Sequence, residues 1–435
     1  MKLRARAIVA VAGIALSGVA GQWLGYPLAG LWLLLTAALV LGLLLEYLTA
    51  QATPLQATLR PASHAYLGRP LALQLDICNA SQRALTMRAQ PLPPLALTGG
   101  VPEGSAALAP NESLTLNFEQ IPNTLGEHQW PAQPAELTGV LGLASWIRWL
   151  PISANQGATA TTTVEPDHLQ QAQQRAAMDR SGARSNPLSS ADGYEFRSLR
   201  RYVSGDAPAR IDWKSSARSG ALIVRETQPE QQLLLYFMID CGRSSQLQIG
   251  SLNGLGHAVN VSARMAELAS HAGDRFGLQI YAEQPLARLP PGQGQAHLRR
   301  LRGLLGDARG SAAESNPLAA VIAAARELPQ RALIVLFTQL DDAEAAGQLA
   351  RATALLRPRH LPLVVTVEDA WVNATAQAHE SNVFTALAAR EHRRTAQRTR
   401  AQLEQLGAIV VESPPQLIEA KVFARYRQLR ADRSI

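Results

Sequence analysis

Cysteine is nearly absent from this chain: only Cys78 and Cys241 occur in 435 residues. Two thiols so far apart give neither a disulfide framework nor close metal-ligand spacing, and they suit a reducing compartment. Aromatic residues make up 5% of the chain and charged residues 17%. A nucleic-acid surface would concentrate basic charge on one face and interleave it with aromatics. Here the net charge of +7 is spread, with arginines alternating with acids through most of the chain. The one dense basic run, Ala389 to Arg400, reads as a solvated helix face that lies over anionic lipid headgroups, so no nucleic acid is expected as a partner. Catalytic signatures are missing too: there is no Walker A loop, H-E-x-x-H pair or G-x-S-x-G elbow. Of the nine histidines, His64, His128 and His257 read as ordinary polar residues in loop or cap contexts. The expectation is a protein that is not an enzyme, so any ATP-driven work would draw on a partner.

Apolar sequence, by contrast, is abundant at 47% of the chain, and much of it lies in residues 1–50. One apolar span runs from about Ala7 to Tyr26 and another from about Leu28 to Leu45. Each approaches the roughly 20 residues that a helix needs to cross about 30 Å of hydrocarbon. Gly25-Tyr26-Pro27 leaves room only for a tight turn between them, and Trp23, Tyr26 and Tyr47 sit at the interfaces. Gly13, Ser17 and Gly21 form a stripe of small residues that would let two helices approach closely. Lys2, Arg4 and Arg6 precede the first span, which puts the N-terminus in the cytoplasm and returns the chain there. The other reading is a signal peptide cleaved near Gly18-Val19-Ala20, with the second span as a stop-transfer helix.

Residues 51–166 change to period two. Leu71 to Ile77 and Leu114 to Phe118 alternate branched with small or polar residues, and turn residues follow at Asn79-Ala80-Ser81, Thr98-Gly99-Gly100, Pro110-Asn111 and Asn123 to Gly126. That pattern predicts a small β-sandwich with one wet face. No convergent acids, histidines or nucleophiles occur there. The stretch Asn155 to Thr163 reads as a loop or an edge strand, and Leu169 to Ser190 as a polar helix and flexible segment. Leu169 to Ser190 opens a connecting region, 167–230.

The densest part of that region starts at Gly193. Between Arg197 and Glu230 seven bases and four acids mix with Tyr202, Trp213 and aliphatics. Charges so placed either pair in a semi-buried network, arginine forks gripping carboxylates, or form a surface that a partner reads. The pattern E-F-x-x-L-R-x-Y-x-x-G-D-x-x-x-R-I-D-W-x-x-S-A-R, then L-x-V-R-E, is met by Glu195, Phe196, Leu199, Arg200, Tyr202, Gly205, Asp206, Arg210, Ile211, Asp212, Trp213, Ser216, Ala217, Arg218, Leu222, Val224, Arg225 and Glu226. In this it resembles the bacterial family known as domain of unknown function 58. The N-terminal hairpin and the Gly139 to Leu143 turn are also similar, although the family usually has an acid where this chain has Gly139. The resemblance implies anchoring in the bacterial inner membrane, a cytoplasmic von Willebrand A-like domain and a partnership with a MoxR-type AAA+ ATPase.

From 231 to 435 apolar strands alternate with helices. Strands are expected at Leu233 to Asp240, Phe276 to Tyr281, Ala332 to Phe337, Leu361 to Val367 and Ala408 to Val411. Helices are expected at Leu255 to Ser270, Pro317 to Leu328 and Ala343 to Leu356. The alternation predicts a Rossmann-type α/β domain: a parallel sheet covered on both faces, with ligands at the carboxyl ends of its strands. In von Willebrand A domains that edge holds a metal through D-x-S-x-S, a Thr and a later Asp. Here Asp240 and Ser244 match, Gly242 replaces the first serine, Ser315 stands at the Thr position, and Thr338-Gln339 stands where Thr-Asp is usual. One carboxylate beside Arg243 is a poor site for a hard cation. No cofactor is expected, and magnesium is the one metal left open, with Asp341 or Asp342 as substitute ligands. Asp240 is expected to pair with Arg243 or to cap the next loop. The functional expectation is an adaptor or assembly factor working with the ATPase and other membrane or envelope proteins. A passive envelope scaffold and a hydrolase with an unrecognised site are the alternatives.

Overall fold

The computed structural model describes residues 2–24, 31–60, 64–153, 160–169, 194–203, 206, 208, 211–229, 232–328, 330–340, 343–377 and 383–432. The turn at 25–27, the segment 170–190, Gly205, Arg210, Asp341 and Asp342 lie outside them. The chain forms two compact units, 1–167 and 168–435.

The first unit opens with α1 (Ala5–Leu24) and α2 (Leu31–Ala52). Over Trp32–Ala52 the second helix is long and apolar enough to cross a membrane, whereas the apolar part of α1, Ala5–Ala20, is shorter. Of the small-residue stripe, a Cβ at Gly13 would meet nothing within 4 Å. Gly18 faces the Trp32 side chain, at ordinary contact distance for a Cβ.

Among the described residues, thirteen strands belong to this unit. They are β1 (Lys2–Leu3), β2 (Leu55–Arg60), β3 (His64–Tyr66), β4 (Leu71–Asn79), β5 (Leu85–Ala89), β6 (Leu97–Thr98) and β7 (Gly104–Leu108). After these come β8 (Ser113–Pro122), β9 (Gly126–Gln129), β10 (Gln133–Thr138), β11 (Ala144–Leu150), β12 (Ile152–Ser153) and β13 (Thr161–Glu165). They form two five-stranded sheets, ordered β1-β11-β10-β5-β7 and β12-β2-β4-β8-β6, and a three-stranded sheet β3-β13-β9. Alternation drives this: Leu73, Leu75 and Ile77 of β4 are buried while Ala72 is exposed. Asn79 closes the turn after β4, its amide donating to the Arg83 carbonyl at 2.9 Å and its oxygen accepting from Ser81 N at 3.1 Å.

The second unit begins with the antiparallel hairpin β14 (Tyr194–Arg201) and β15 (Ile223–Pro229), with α3 (Trp213–Ser219) between them. Next come β16 (Leu234–Asp240), the short hairpin β17 (Gln248–Ile249) and β18 (Leu252–Asn253), α4 (Gly254–His271), β19 (Arg275–Tyr281) and β20 (Pro285–Gly292). The chain continues through α5 (Gln295–Gly306), α6 (Pro317–Ala325), β21 (Leu333–Phe337), α7 (Ala343–Leu356) and β22 (Leu361–Val367). It ends with α8 (Ala370–Gln377), α9 (Val383–Gln405), β23 (Ile409–Ser413) and α10 (Pro415–Ala431).

Six strands form one sheet in the order β20-β19-β16-β21-β22-β23. All neighbours are parallel except the edge strand β20, which is antiparallel to β19. Both faces of β16 are buried, as its unbroken apolar run requires. Leu234, Tyr236 and Met238 join a core with Val321 of α6, Leu349 and Leu356 of α7 and Leu403 of α9. Leu235, Phe237 and Ile239 point to the opposite face, where α4 contacts β16 and β19.

Candidate functional site

Two places gather the residues singled out above: the β14–β15 hairpin and the carboxyl edge of the sheet. In the hairpin, Asp212 caps α3, its side chain accepting from Ser215 N at 3.0 Å, and Gly220 ends that helix with φ of 69°. Ser216 is buried and its hydroxyl accepts from Ile223 N at 2.8 Å, which ties α3 back to β15. Arg218 lies in the last turn of α3, on the favourable side of the helix dipole. Arg200 forks onto both carboxylate oxygens of Asp206 at 2.7 Å, and Asp206 also accepts from Val203 N at 2.9 Å. Glu195 and Phe196 lie on β14, and Arg225 and Glu226 on β15, in register with Gln228, Thr227, Leu199 and Ser198.

Among the described residues, the Arg200–Asp206 pair closes on the hairpin itself. The Arg200 side chain is 41% exposed, and its fork fixes the hairpin's own turn. The large apolar residues are not packed under it: Trp213 is 67% exposed, Val203 62%, and Leu199, Leu222 and Tyr202 are exposed as well. Among the described residues, the hairpin thus exposes several large apolar side chains.

At the sheet edge, Asp240 ends β16 and is 2% exposed. Its Oδ1 accepts from Gly242 N at 2.8 Å and from the Ser315 hydroxyl, and its Oδ2 accepts from the Thr338 hydroxyl at 3.0 Å. Burial pushes this carboxyl up from its ordinary value, while the Ser315, Gly242 and Thr338 donors pull it back down. The pairing of Asp240 with Arg243 does not occur. Arg243 binds Glu314 at 2.5 Å, both side chains well exposed, because its side chain points out of the 3-10 turn Arg243–Gln246. Asp240 does cap the following loop, through Gly242.

A Cβ at 242 would run into the Ser315 hydroxyl. The glycine is what lets Ser315 close onto the carboxylate. Gln339 is engaged elsewhere, its Oε1 accepting from Thr366 at 3.1 Å, and Ser244 lies in the 3-10 turn. A pocket of about 20 Å³ lies between Asp240, Ser245, Gly254, Phe337, Thr338 and Gln339. That is room for one water-sized species. Magnesium takes about six hard oxygen ligands with carboxylates supplying charge. Here one carboxylate is already committed to three donors, and among the described residues no group of three or more His, Cys, Asp or Glu converges. Among the described residues the donor set does not fit the ion. The neighbouring Cys241 thiol is pushed up to about 12 by burial, so it is no nucleophile at neutral pH.

Ser245 and Thr366 were not among the sequence candidates. Ser245 donates to the Gly242 carbonyl at 2.7 Å and so fixes the loop that Asp240 caps. A third residue, Glu46, was also missed. It sits in α2 at 1% exposure and accepts from Leu143 N at 3.0 Å and Ala144 N at 2.9 Å. A Cβ at Gly139 would strike its carboxylate. The signal was a lone acid in a run of leucines. His257 is a buried residue of α4 whose Nε2 lies 2.8 Å from the Ile249 carbonyl, consistent with a structural role.

A family model described as "Protein of unknown function DUF58" matches residues 198–408. No curated protein matches the chain significantly. Among solved structures, the conserved hypothetical protein BatB from Bacteroides thetaiotaomicron is similar at 12% identity over 44% of this chain and 98% of its own, with a TM-score of 0.28. The CARDB domain of the PF1109 protein from Pyrococcus furiosus is similar at 13% identity over 26% of this chain and 93% of its own, with a TM-score of 0.17. At these TM-scores the likenesses carry no functional inference.

Proposed function

The chain belongs to the DUF58 family through residues 198–408, and from that premise we propose that it is a membrane-anchored, non-enzymatic adaptor or assembly factor that works with a MoxR-type AAA+ ATPase. The observation that carries the binding role is the exposure of large apolar side chains along the β14–β15 hairpin, Trp213 at 67% and Val203 at 62%. A large aromatic exposed among arginines and carboxylates is the composition of a protein-binding hot spot rather than of a solvated face. The strand order β20-β19-β16-β21-β22-β23, with its antiparallel edge strand, supports a von Willebrand A-like reading of the α/β sheet. In that reading the metal position is degenerate, and contact with a partner is metal-free.

Membrane anchoring rests on α2. Lys2 and Leu3 pair with Ser145 and Ala144 of β11, so the N-terminus and the β-rich sheets share one side of the bilayer. A crossing by α2 then requires a return crossing by α1, whose 20 residues reach about 30 Å. The positive charges of Lys2, Arg4 and Arg6 favour the cytoplasm as that side. Affinity purification of the full-length protein in mild detergent at low salt tests the reading. Recovery of an AAA+ ATPase is expected, and its repeated absence would leave only a passive scaffold.

A further inference from the structure

We propose that the β10–β11 turn, Gly139 to Leu143, is a second membrane contact: an apolar finger that enters the lipid boundary beside α2. The proposal rests on α2 being a membrane span. The placement comes from Gly42, where a Cβ would meet Leu143 Cδ1 at 3.1 Å and Leu141 Cδ1 at 3.4 Å, so both leucines lie against that glycine. Gly42 is four residues before Glu46, about 6 Å further along the helix towards its apolar middle. The turn therefore reaches about one helical turn past the last charge of α2. At its tip Val140 is 74% exposed and Leu141 50%, and Leu41 and Leu45, on either side of Gly42 in α2, are exposed as well. Exposed leucines on α2 and an exposed Val-Leu tip beside them form one apolar surface, and lipid is the solvent that covers the helical part of it.

Irregular backbone enters such a layer only when its polar groups are met from within the protein. This turn is equipped for that. Glu46 takes the Leu143 and Ala144 amides, and the Leu143 carbonyl accepts from Arg4 N at 2.9 Å. The Leu141 carbonyl accepts from the Arg6 guanidinium at 3.3 Å, and Gly139 and Gly142 close the turn on itself at 3.0 Å. In water these groups would need no such provision. Tyr47 and Trp146, with ring centroids 5.1 Å apart, sit next to this level, where amphipathic rings suit the headgroup layer.

The test is depth-dependent quenching of an environment-sensitive fluorophore in full-length protein reconstituted into phosphatidylcholine–phosphatidylglycerol vesicles. Single labels are placed by Leu141→Cys, Leu41→Cys and Glu119→Cys in a Cys78→Ser background, Cys241 being fully buried. Glu119 pairs with Ala72, at the end of β4–β8 opposite Asn79, which pairs with Leu55 where β2 begins after α2. Lipids carrying nitroxides near the headgroup are expected to quench the Leu141 label about as strongly as the Leu41 label and to leave the Glu119 label bright. A quenched Leu41 label with a bright Leu141 label would overturn the proposal and leave the membrane span standing. Two bright labels would remove the span itself, and the proposal with it.

Discussion

Replacing Ser315 with alanine removes one of three donors from a carboxylate that is 2% exposed, with almost no change of shape. A hydrogen bond to a charged group is worth about 1.5–3 kcal/mol, against about 5–15 kcal/mol for the stability of a whole domain. Amides of β16 exchange through opening of the sheet core, so their exchange should speed up by about tenfold to a hundredfold. The effect has a sign with pH. Burial raises the Asp240 carboxyl in the folded state, so the folded form holds its proton to higher pH than the unfolded one. Stability contributed by this group therefore falls as pH rises from the ordinary carboxylate value, about 3.9, through the raised folded value. Ser315→Ala takes away a contact that lowers the folded value, so its cost is full at neutral pH and shrinks as acid protonates Asp240. Hydrogen exchange followed by mass spectrometry on the β16 peptide reads both features in the full-length protein. A rate increase below about twofold, or one that is the same at low and neutral pH, would refute the idea that Ser315 holds this carboxylate.

Asp240→Asn should flatten the same pH dependence, measured as the unfolding midpoint against pH. Gly242→Ser brings a side chain into the Ser315 hydroxyl and should lower stability by about 1–3 kcal/mol, the cost of overpacking, in urea unfolding. Glu46→Ala leaves one buried and one part-buried amide without an acceptor and should cost about 1–4 kcal/mol, read as a lowered unfolding midpoint of the detergent-solubilised chain, while Glu46→Gln keeps one acceptor and should recover part of it. Calorimetric titration of the full chain with magnesium should give no saturable binding, because the Asp240 oxygens already hold three donors.

Much of the α/β region was legible because its strands are buried on both faces and so read as apolar runs. Leu234–Asp240 and Leu361–Val367 are examples. The edge strand β20 was not, since Pro285–Gly292 holds three prolines and only Leu289 is buried. An edge needs no apolar alternation. The amphipathic helices α5 and α10 were passed over for a related reason: their polar faces dilute the apolar signal. At the site, a motif brought Asp240, Ser315 and Thr338 together from three segments, and the structure puts them within hydrogen-bond reach. The motif could not say that Gly242 yields its space to Ser315, or that Arg243 turns outward to Glu314, because side-chain direction depends on the 3-10 turn. Glu46 was missed because its partners lie 97 and 98 residues away.

The binding role is tested most directly by the affinity of full-length protein, held in nanodiscs, for the MoxR-type ATPase before and after Trp213→Ala. Trp213 is 67% exposed, so its loss leaves the fold intact, and Trp371→Ala, 66% exposed on α8, serves as the control. Weakening by about tenfold or more for Trp213→Ala with no change for Trp371→Ala is the predicted result. Equal affinity for all three proteins, or no binding by any, would contradict it.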